Sequence, residues 1–181
     1  MKKMLMMCVV LAVFGATSSF AKCPHLPKLE VVQNLEIERY LGKWYEIATI
    51  PQSFQKGCVG VTANYSLRPD GDIDVLNTCF KNTLDGKYKE AHGKAWIVHR
   101  DEPAKLKVQF FWPFSGKYWI IELGQNYEYS VVGHPSRKYF WILSRTPQLD
   151  PKVLEGILKR AQEKGYDLAK IKMTLQPQAA Q

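Results

Sequence analysis

The sequence predicts an all-β protein, an eight-stranded antiparallel up-and-down β-barrel with a single α-helix packed on its outside after the last strand. Three observations predict it. Eight short segments of strand character follow one another at hairpin-length connections between residues 43 and 145. A helical apolar pattern begins only when they are complete, at Pro151. The series opens on Gly42-Lys43-Trp44, where a large aromatic follows a residue that lets the chain turn sharply, which is what a small barrel needs to plug a closed end. Closing such a meander on itself leaves no exposed sheet edge.

Residues 1–21 have the form of a signal peptide. Lys2 and Lys3 precede an apolar run over residues 4–14, and Ser19-Phe20-Ala21 is a small-x-small site, so cleavage after Ala21 is expected. The run is too short to span a bilayer. The barrel domain is then residues 22–176 and the tail residues 177–181, in a protein exported to the periplasm or secreted. The competing reading is an outer-membrane lipoprotein anchored through Cys23. Lys22 stands directly before that cysteine, where an acylation signal requires a small residue, and speaks against it.

The strands are taken in order. After an extended lead-in over residues 23–34 and a short helical turn over residues 38–41, the first strand covers residues 43–50. Trp44, Glu46, Ala48 and Ile50 share one face of it, and Tyr45, Ile47 and Thr49 the other. Val59, Val61, Ala63, Tyr65 and Leu67 alternate with polar or small residues in the second strand, and Arg68-Pro69-Asp70-Gly71 turns it back. Ile73, Val75 and Asn77 carry the third strand and residues 88–99 the fourth, with Asp85-Gly86 turning between them. Leu106, Val108 and Phe110 give residues 105–111 the clearest alternation in the chain. Residues 112–116 are expected as a loop, and residues 118–123, 127–132 and 138–145 as the last three strands. Asp150 is placed to cap a helix with Pro151 in its first turn, apolar positions from Val153 to Ala161 line one face, and Gly165 ends it. Residues 171–175 return as a short strand.

Charge excludes little and suggests something. Without residues 1–21 the chain carries 23 basic and 17 acidic residues, and the bases are spread rather than gathered, so a solvated basic surface is expected and a nucleic-acid site is not. Such a surface suits anionic lipid headgroups. Of the four cysteines, Cys8 lies in the signal segment, which leaves Cys23, Cys58 and Cys79 for one bridge. Cys58 with Cys79 is the first choice, because they lie at the far ends of two strands joined by a tight turn. Their alternation is out of phase unless the second strand breaks at Gly57 or Gly60.

Gly42-Lys43-Trp44 on the first strand, Tyr127 at the turn into the seventh and Arg145 closing the eighth resemble the three motifs of the lipocalins. The phrases RYLGKWYEIA, VTANYSL and YFWILSRTP are similar to the bacterial, outer-membrane lipocalin group related to apolipoprotein D, and the likeness runs from residue 35 to residue 176. Gln125-Asn126 replaces the Thr-Asp that usually precedes the motif tyrosine. The resemblance implies a barrel with one open end, Trp44 near the closed end and Arg145 lying across its indole, a pairing that guanidinium stacking favours.

Strand parity proposes an inner wall of Tyr65, Val75, Ala95, Ile97, Leu106, Val108, Phe110 and Trp141, and the small residues Ala48, Ala63, Gly93 and Ala95 suggest space within it. The resemblance implies fatty acids or lysophospholipids as ligands, carried or stored in the cell envelope; a membrane surface, on the ground of the basic charge, and a homodimer are the further partners considered. No cofactor, metal site or enzymatic activity is expected. The nucleophile elbow, His-Glu-x-x-His and phosphate-loop patterns are absent, and His25, His92, His99 and His134 have no metal-ligand spacing. The alternative is a lipocalin-type isomerase acting through Cys79, whose parity is inward. Glu46 shares the face of Trp44 and is expected as a hydrogen-bonded structural carboxylate.

Overall fold

The computed structural model describes residues 26–178; the signal segment, Cys23 and residues 179–181 lie outside the described residues. Strands β1 (Gly42–Thr49), β2 (Cys58–Leu67), β3 (Ile73–Lys81), β4 (Tyr88–Ile97), β5 (Lys105–Phe111), β6 (Phe114–Leu123), β7 (Tyr129–Gly133) and β8 (Phe140–Ser144) each pair antiparallel with the next. β8 pairs with β1, which closes the sheet into a barrel. A short helix α1 (Ile37–Tyr40) leads into β1, helix α2 (Pro151–Glu163) follows β8, and the two-residue β9 (Lys172–Met173) adds to β1 beyond the stretch that pairs with β2. The chain direction fixes two ends. α1 and the connections over residues 68–72, 98–104 and 124–128 lie at one, and those over residues 50–57, 82–87, 112–113 and 134–139 at the other.

Alternation places most elements, and irregularities move several boundaries. The loop expected over residues 112–116 shrinks to Trp112-Pro113: Phe111 pairs with Phe114 and Val108 with Gly116, so residues 114–116 belong to β6. β7 begins at Tyr129 and not Tyr127, whose φ of 60° is left-handed and cannot continue a strand. β3 extends through Lys81 because Cys79 and Phe80 keep pairing with Lys89 and Tyr88, whereas β8 contracts to five residues.

Two bulges matter for what faces inward. In β1 the register with β8 slips between Glu46 and Ala48, so Glu46 opposes Leu143 while Ala48 opposes Ile142 and Thr49 opposes Trp141. Thr49, rather than Ala48, therefore shares the face of Glu46 and Trp141, and Ala48 contributes no space to the interior. In β2 the register with β3 slips between Val59 and Thr62, around Gly60 at φ 58°. A side chain at Gly60 would be strained there and would press on Phe80 and Leu84. This break supplies the phase change that joins Cys58 to Cys79 in a disulfide.

α2 is specified at both ends. The Asp150 carboxylate accepts from the N–H groups of Lys152 and Val153 at 2.8 and 3.2 Å. At the other end Gly165, at φ 87°, lets its own N–H reach the Gln162 carbonyl and that of Tyr166 reach Ala161, the paired 5→2 and 6→1 bonds of a Schellman cap. Ile157 and Ala161 are buried beneath the helix. Arg160 bonds Glu122 of β6, and Tyr166 packs its ring 4.7 Å from that of Phe140 on β8, so the helix covers the outside of the barrel over β6 to β8.

Candidate ligand site in the barrel

The closed end is built on Trp44. α1 is too short to satisfy its own carbonyls, and Gly42 at φ 89° folds the chain back from it into β1. Trp44 is fully buried and donates its indole N–H to the Tyr40 carbonyl at 2.8 Å. The Arg145 guanidinium lies 3.7 Å over its ring. That guanidinium donates to the carbonyls of Arg39 at 2.6 Å, Leu41 at 2.9 Å, Lys43 at 3.0 Å and Tyr127 at 3.3 Å. A cation at the C-terminal end of a short helix satisfies carbonyls that would otherwise stay unpaired. Burial lowers the pKa of Arg145, partly offset by Tyr40. Tyr127 completes the plug: its hydroxyl accepts from the Glu36 N–H at 3.0 Å, and Arg39 stacks 4.2 Å over its ring. The four motif positions Gly42, Trp44, Tyr127 and Arg145 thus meet at one end of the barrel.

Directly above lies a chain of hydroxyls that sequence reasoning missed. Ser130, Tyr40, Tyr118 and Tyr65 are linked in that order at 3.1, 2.8 and 2.9 Å. Burial raises all three phenols, Tyr40 to about 12, so they stay neutral donors and acceptors. A cavity of about 10 Å³, room for one water, remains between Tyr65, Ala95, Leu106, Val108 and Tyr118. Only the strand parity of Tyr65 pointed here. Tyr40 ends α1, where no pattern marks it, and Tyr118 lies in the middle of β6, opposite the inward-facing Leu106.

The proposed inner wall is on the inner side, graded from dry to open. Tyr65, Val75, Ala95 and Leu106 are buried, and Val108, Phe110 and Trp141, nearer the mouth, are half-buried; Ile97, the last residue of β4 at the closed end, is half-buried as well and stands outside this grading. Val75 opposes Tyr65 and Ala95 opposes Val108, which puts these on one face of the sheet. Gly93 does not leave space, contrary to its reading as a gap, because the Phe110 ring lies where a side chain at Gly93 would stand, 2.8 Å from the Cβ position. Of the four small residues, Ala95 lines the small cavity, and Ala63 stands opposite Trp44.

Toward the open end a polar relay ties four segments together. The Glu46 carboxylate, 4% exposed, accepts from the Thr174 hydroxyl at 2.6 Å and from the Gln55 amide at 2.9 Å, and the Gln55 carbonyl accepts from the Trp141 indole at 3.1 Å. Burial raises the Glu46 pKa against the lowering effect of both donors. The Gln176 amide donates to the carbonyls of Glu46 and Val61 at 2.9 and 2.8 Å and so seats the C-terminal segment between β1 and β2 where they splay. A cleft of about 510 Å³ opens between the 51–57 loop and residues 172–175, with Glu46 and Thr49 at its base. Cys79 is bonded to Cys58 and offers no thiolate, which removes the nucleophile that the isomerase alternative requires.

A closed antiparallel barrel, plugged at one end by a tryptophan under an arginine and lined with apolar side chains toward the other, defines a small barrel of the lipocalin class. The lipocalin-like domain matches residues 35–176, and the chain belongs to this family of hydrophobic-ligand binders. It is 40% identical over 170 residues to the outer membrane lipoprotein Blc of Escherichia coli K12, covering 91% of this chain and 96% of that one. With bovine apolipoprotein D the identity is 38% over 162 residues, covering 83% and 82%. The fold is also that of insecticyanin from the tobacco hornworm Manduca sexta, with a TM-score of 0.67 at 20% identity over 86% of this chain and 88% of that one.

Proposed function

We propose that the barrel binds a fatty acid or lysophospholipid, with its acyl chain inside and its headgroup at the open end, for lipid transport or storage in the cell envelope. The observation that carries this reading is the grading of the wall. Below, the interior is dry and closed by neutral hydroxyls; above, Val108, Phe110 and Trp141 present half-open apolar surface toward the mouth. An acyl chain laid against that surface gains about 0.8 kcal/mol for each methylene removed from water. Phe110 over Gly93 and Trp141 held by Gln55 are the side chains an entering chain would displace. Tyr65, Val75, Ala95 and Leu106 would meet its far end.

Relatives whose names mark one as an outer membrane lipoprotein and one as an apolipoprotein support a place in the envelope or outside the cell. Export through the segment 1–21 fits that reading, with a soluble form beginning at Lys22 favoured over an anchored form beginning at Cys23. Mass spectrometry of lipids extracted from the purified protein tests the proposal. Stoichiometric fatty acid or lysophospholipid is expected, and an empty barrel that also ignores added lipids would refute it.

A further inference from the structure

Glu46 is the one buried carboxylate among the described residues, and no basic side chain among them forms an ion pair with it. Glu122 makes the contrast: it is only half-buried, yet it meets Arg160 at 2.6 Å and Lys164 at 3.8 Å. What holds Glu46 is two neutral donors, the Thr174 hydroxyl and the Gln55 amide. A buried charge is costly unless an opposite charge is buried with it, and proteins ordinarily supply that charge from a nearby side chain. Here either the opposite charge comes from outside the chain or the group stays protonated.

The cleft above Glu46, about 510 Å³ between the 51–57 loop and residues 172–175, is large enough for a small organic group. Its base has acceptors to spare. Each Glu46 oxygen accepts one bond, where a carboxylate oxygen can take about two. The Gln176 amide nitrogen donates to the Glu46 and Val61 carbonyls, and its oxygen is buried with no partner. An ammonium group brings three donors, no acceptor and the missing positive charge, whereas a carboxylate brings none of these. Lys56 and Lys172 line the same cleft, exposed and without a carboxylate partner among the described residues. Negative charge at the base and positive charge at the rim is the order that complements a zwitterion entering ammonium first. Gln55 bridges Glu46 to the Trp141 indole, so the base of the cleft and the apolar wall of the barrel are one side chain apart.

We propose that the cleft at the β1–β2 seam is a subsite for an organic ammonium held against Glu46, with the anionic group of a zwitterionic ligand left to Lys56 and Lys172 at the rim. An amine-bearing headgroup on an acyl chain and a free zwitterion of the same chemistry are two sources of this group, and the first rests on the barrel holding the chain as proposed above. A carboxylate entering the cleft would set a second negative charge beside the first. The site therefore discriminates among headgroups and not among chains.

The test compares lysophosphatidylethanolamine with lysophosphatidylglycerol of the same chain, which keeps the phosphate and lacks the amine. Phosphoethanolamine and inorganic phosphate are the chain-free counterparts. Affinities are read by calorimetry at neutral pH, below the micelle concentration of each lipid, for the parent and for Glu46→Gln, an isostere that imitates the protonated acid. The ethanolamine lipid is expected to bind the parent about tenfold more tightly than the glycerol lipid, the worth of one charge-assisted contact, and this ratio is expected to fall to about one in Glu46→Gln. Equal affinity of the parent for the two lipids, or a ratio that survives in the variant, would overturn the proposal. With the ratio as expected, phosphoethanolamine separates the two sources: affinity comparable to that of the lipid points to a free zwitterion, and much weaker affinity to a chain-borne amine. If neither lipid binds, the reading of the barrel as a lipid carrier fails and the chain-free pair decides the subsite. Phosphoethanolamine binding that Glu46→Gln abolishes would then uphold it, and no binding, or binding matched by phosphate, would overturn it.

Discussion

Replacing Trp44 by alanine is expected to unfold the barrel from its closed end rather than to remove ligand binding alone. Trp44 is fully buried, packs 5.0 Å from the Tyr40 ring, carries the Arg145 guanidinium on its face and spends its N–H on the Tyr40 carbonyl. Truncation to alanine leaves a cavity walled by a helix, two strands and a cation whose other bonds hold it in place, so little collapse can fill it. The cost is about 3–5 kcal/mol, the range for buried aromatic truncations. At roughly 2–4 °C per kcal/mol for a domain of this size, the melting temperature should fall by about 6–20 °C. Trp44→Phe keeps an apolar ring beneath Arg145 and loses mainly the hydrogen bond, so about 1–2 kcal/mol is expected. Thermal unfolding followed by circular dichroism, paired with lipid titration below both transitions, separates the two effects. An alanine variant that melts within about 2 °C of the parent yet no longer binds lipid would refute the placement of Trp44 as a plug.

Three further outcomes are expected. Glu46 is raised above its ordinary carboxyl value of 4.5 by burial, so the folded state holds this proton more tightly than the unfolded chain. Its contribution is therefore fully present below 4.5 and lost as pH rises through the raised value; urea midpoints of the parent and Glu46→Gln should converge in acid and diverge in favour of the variant toward neutrality, and parallel profiles would contradict this. Neither Cys58 nor Cys79 should react with a thiol reagent before reduction, and replacing both by serine should cost about 3 kcal/mol in denaturant unfolding for a separation of 21 residues. Trp141→Ala should change fatty-acid affinity and abolish most of the ligand-induced fluorescence change while destabilising less than Trp44→Ala; unaltered affinity and signal would place the ligand elsewhere.

The parts of this molecule that repeat were legible in its sequence, and the parts where repetition fails were not. Alternation in β2 and β5 and the capped stripe of α2 each follow one physical period, so their existence and facing could be read directly. The bulge after Glu46 could not, because one inserted residue reverses every face beyond it without altering composition, and Ala48 was accordingly assigned to the interior. Gly93 misled in another way. An absent side chain reads as space, although a neighbouring strand can fill it, as Phe110 does. The motif positions were identified through resemblance, since nothing in the residues near Arg145 announces a partner more than 100 positions away at Leu41 and Lys43. The relay from Thr174 through Glu46 and Gln55 to Trp141 left no trace, because Gln and Thr carry no periodic signal and the Glu46–Thr174 pair spans 128 positions.

Gln176 has a consequence for the order in which the sheet can be completed. Its amide bridges carbonyls on β1 and β2, and just before it Leu175 accepts from the Gly60 N–H and Thr174 donates to the Ile47 carbonyl. The seam between the first two strands is thus stitched by residues at least 115 positions later in the sequence. Until that segment arrives, the upper halves of β1 and β2 have unpaired backbone groups and no shared ladder. A chain made from its N-terminus would accordingly keep its barrel unsealed until residue 176 had been added, and closure of long-range pairings of this kind is intrinsically slow. The same arrangement makes the segment after Ile171 a poor site for truncation: ending the chain there would leave the cylinder slit along one side.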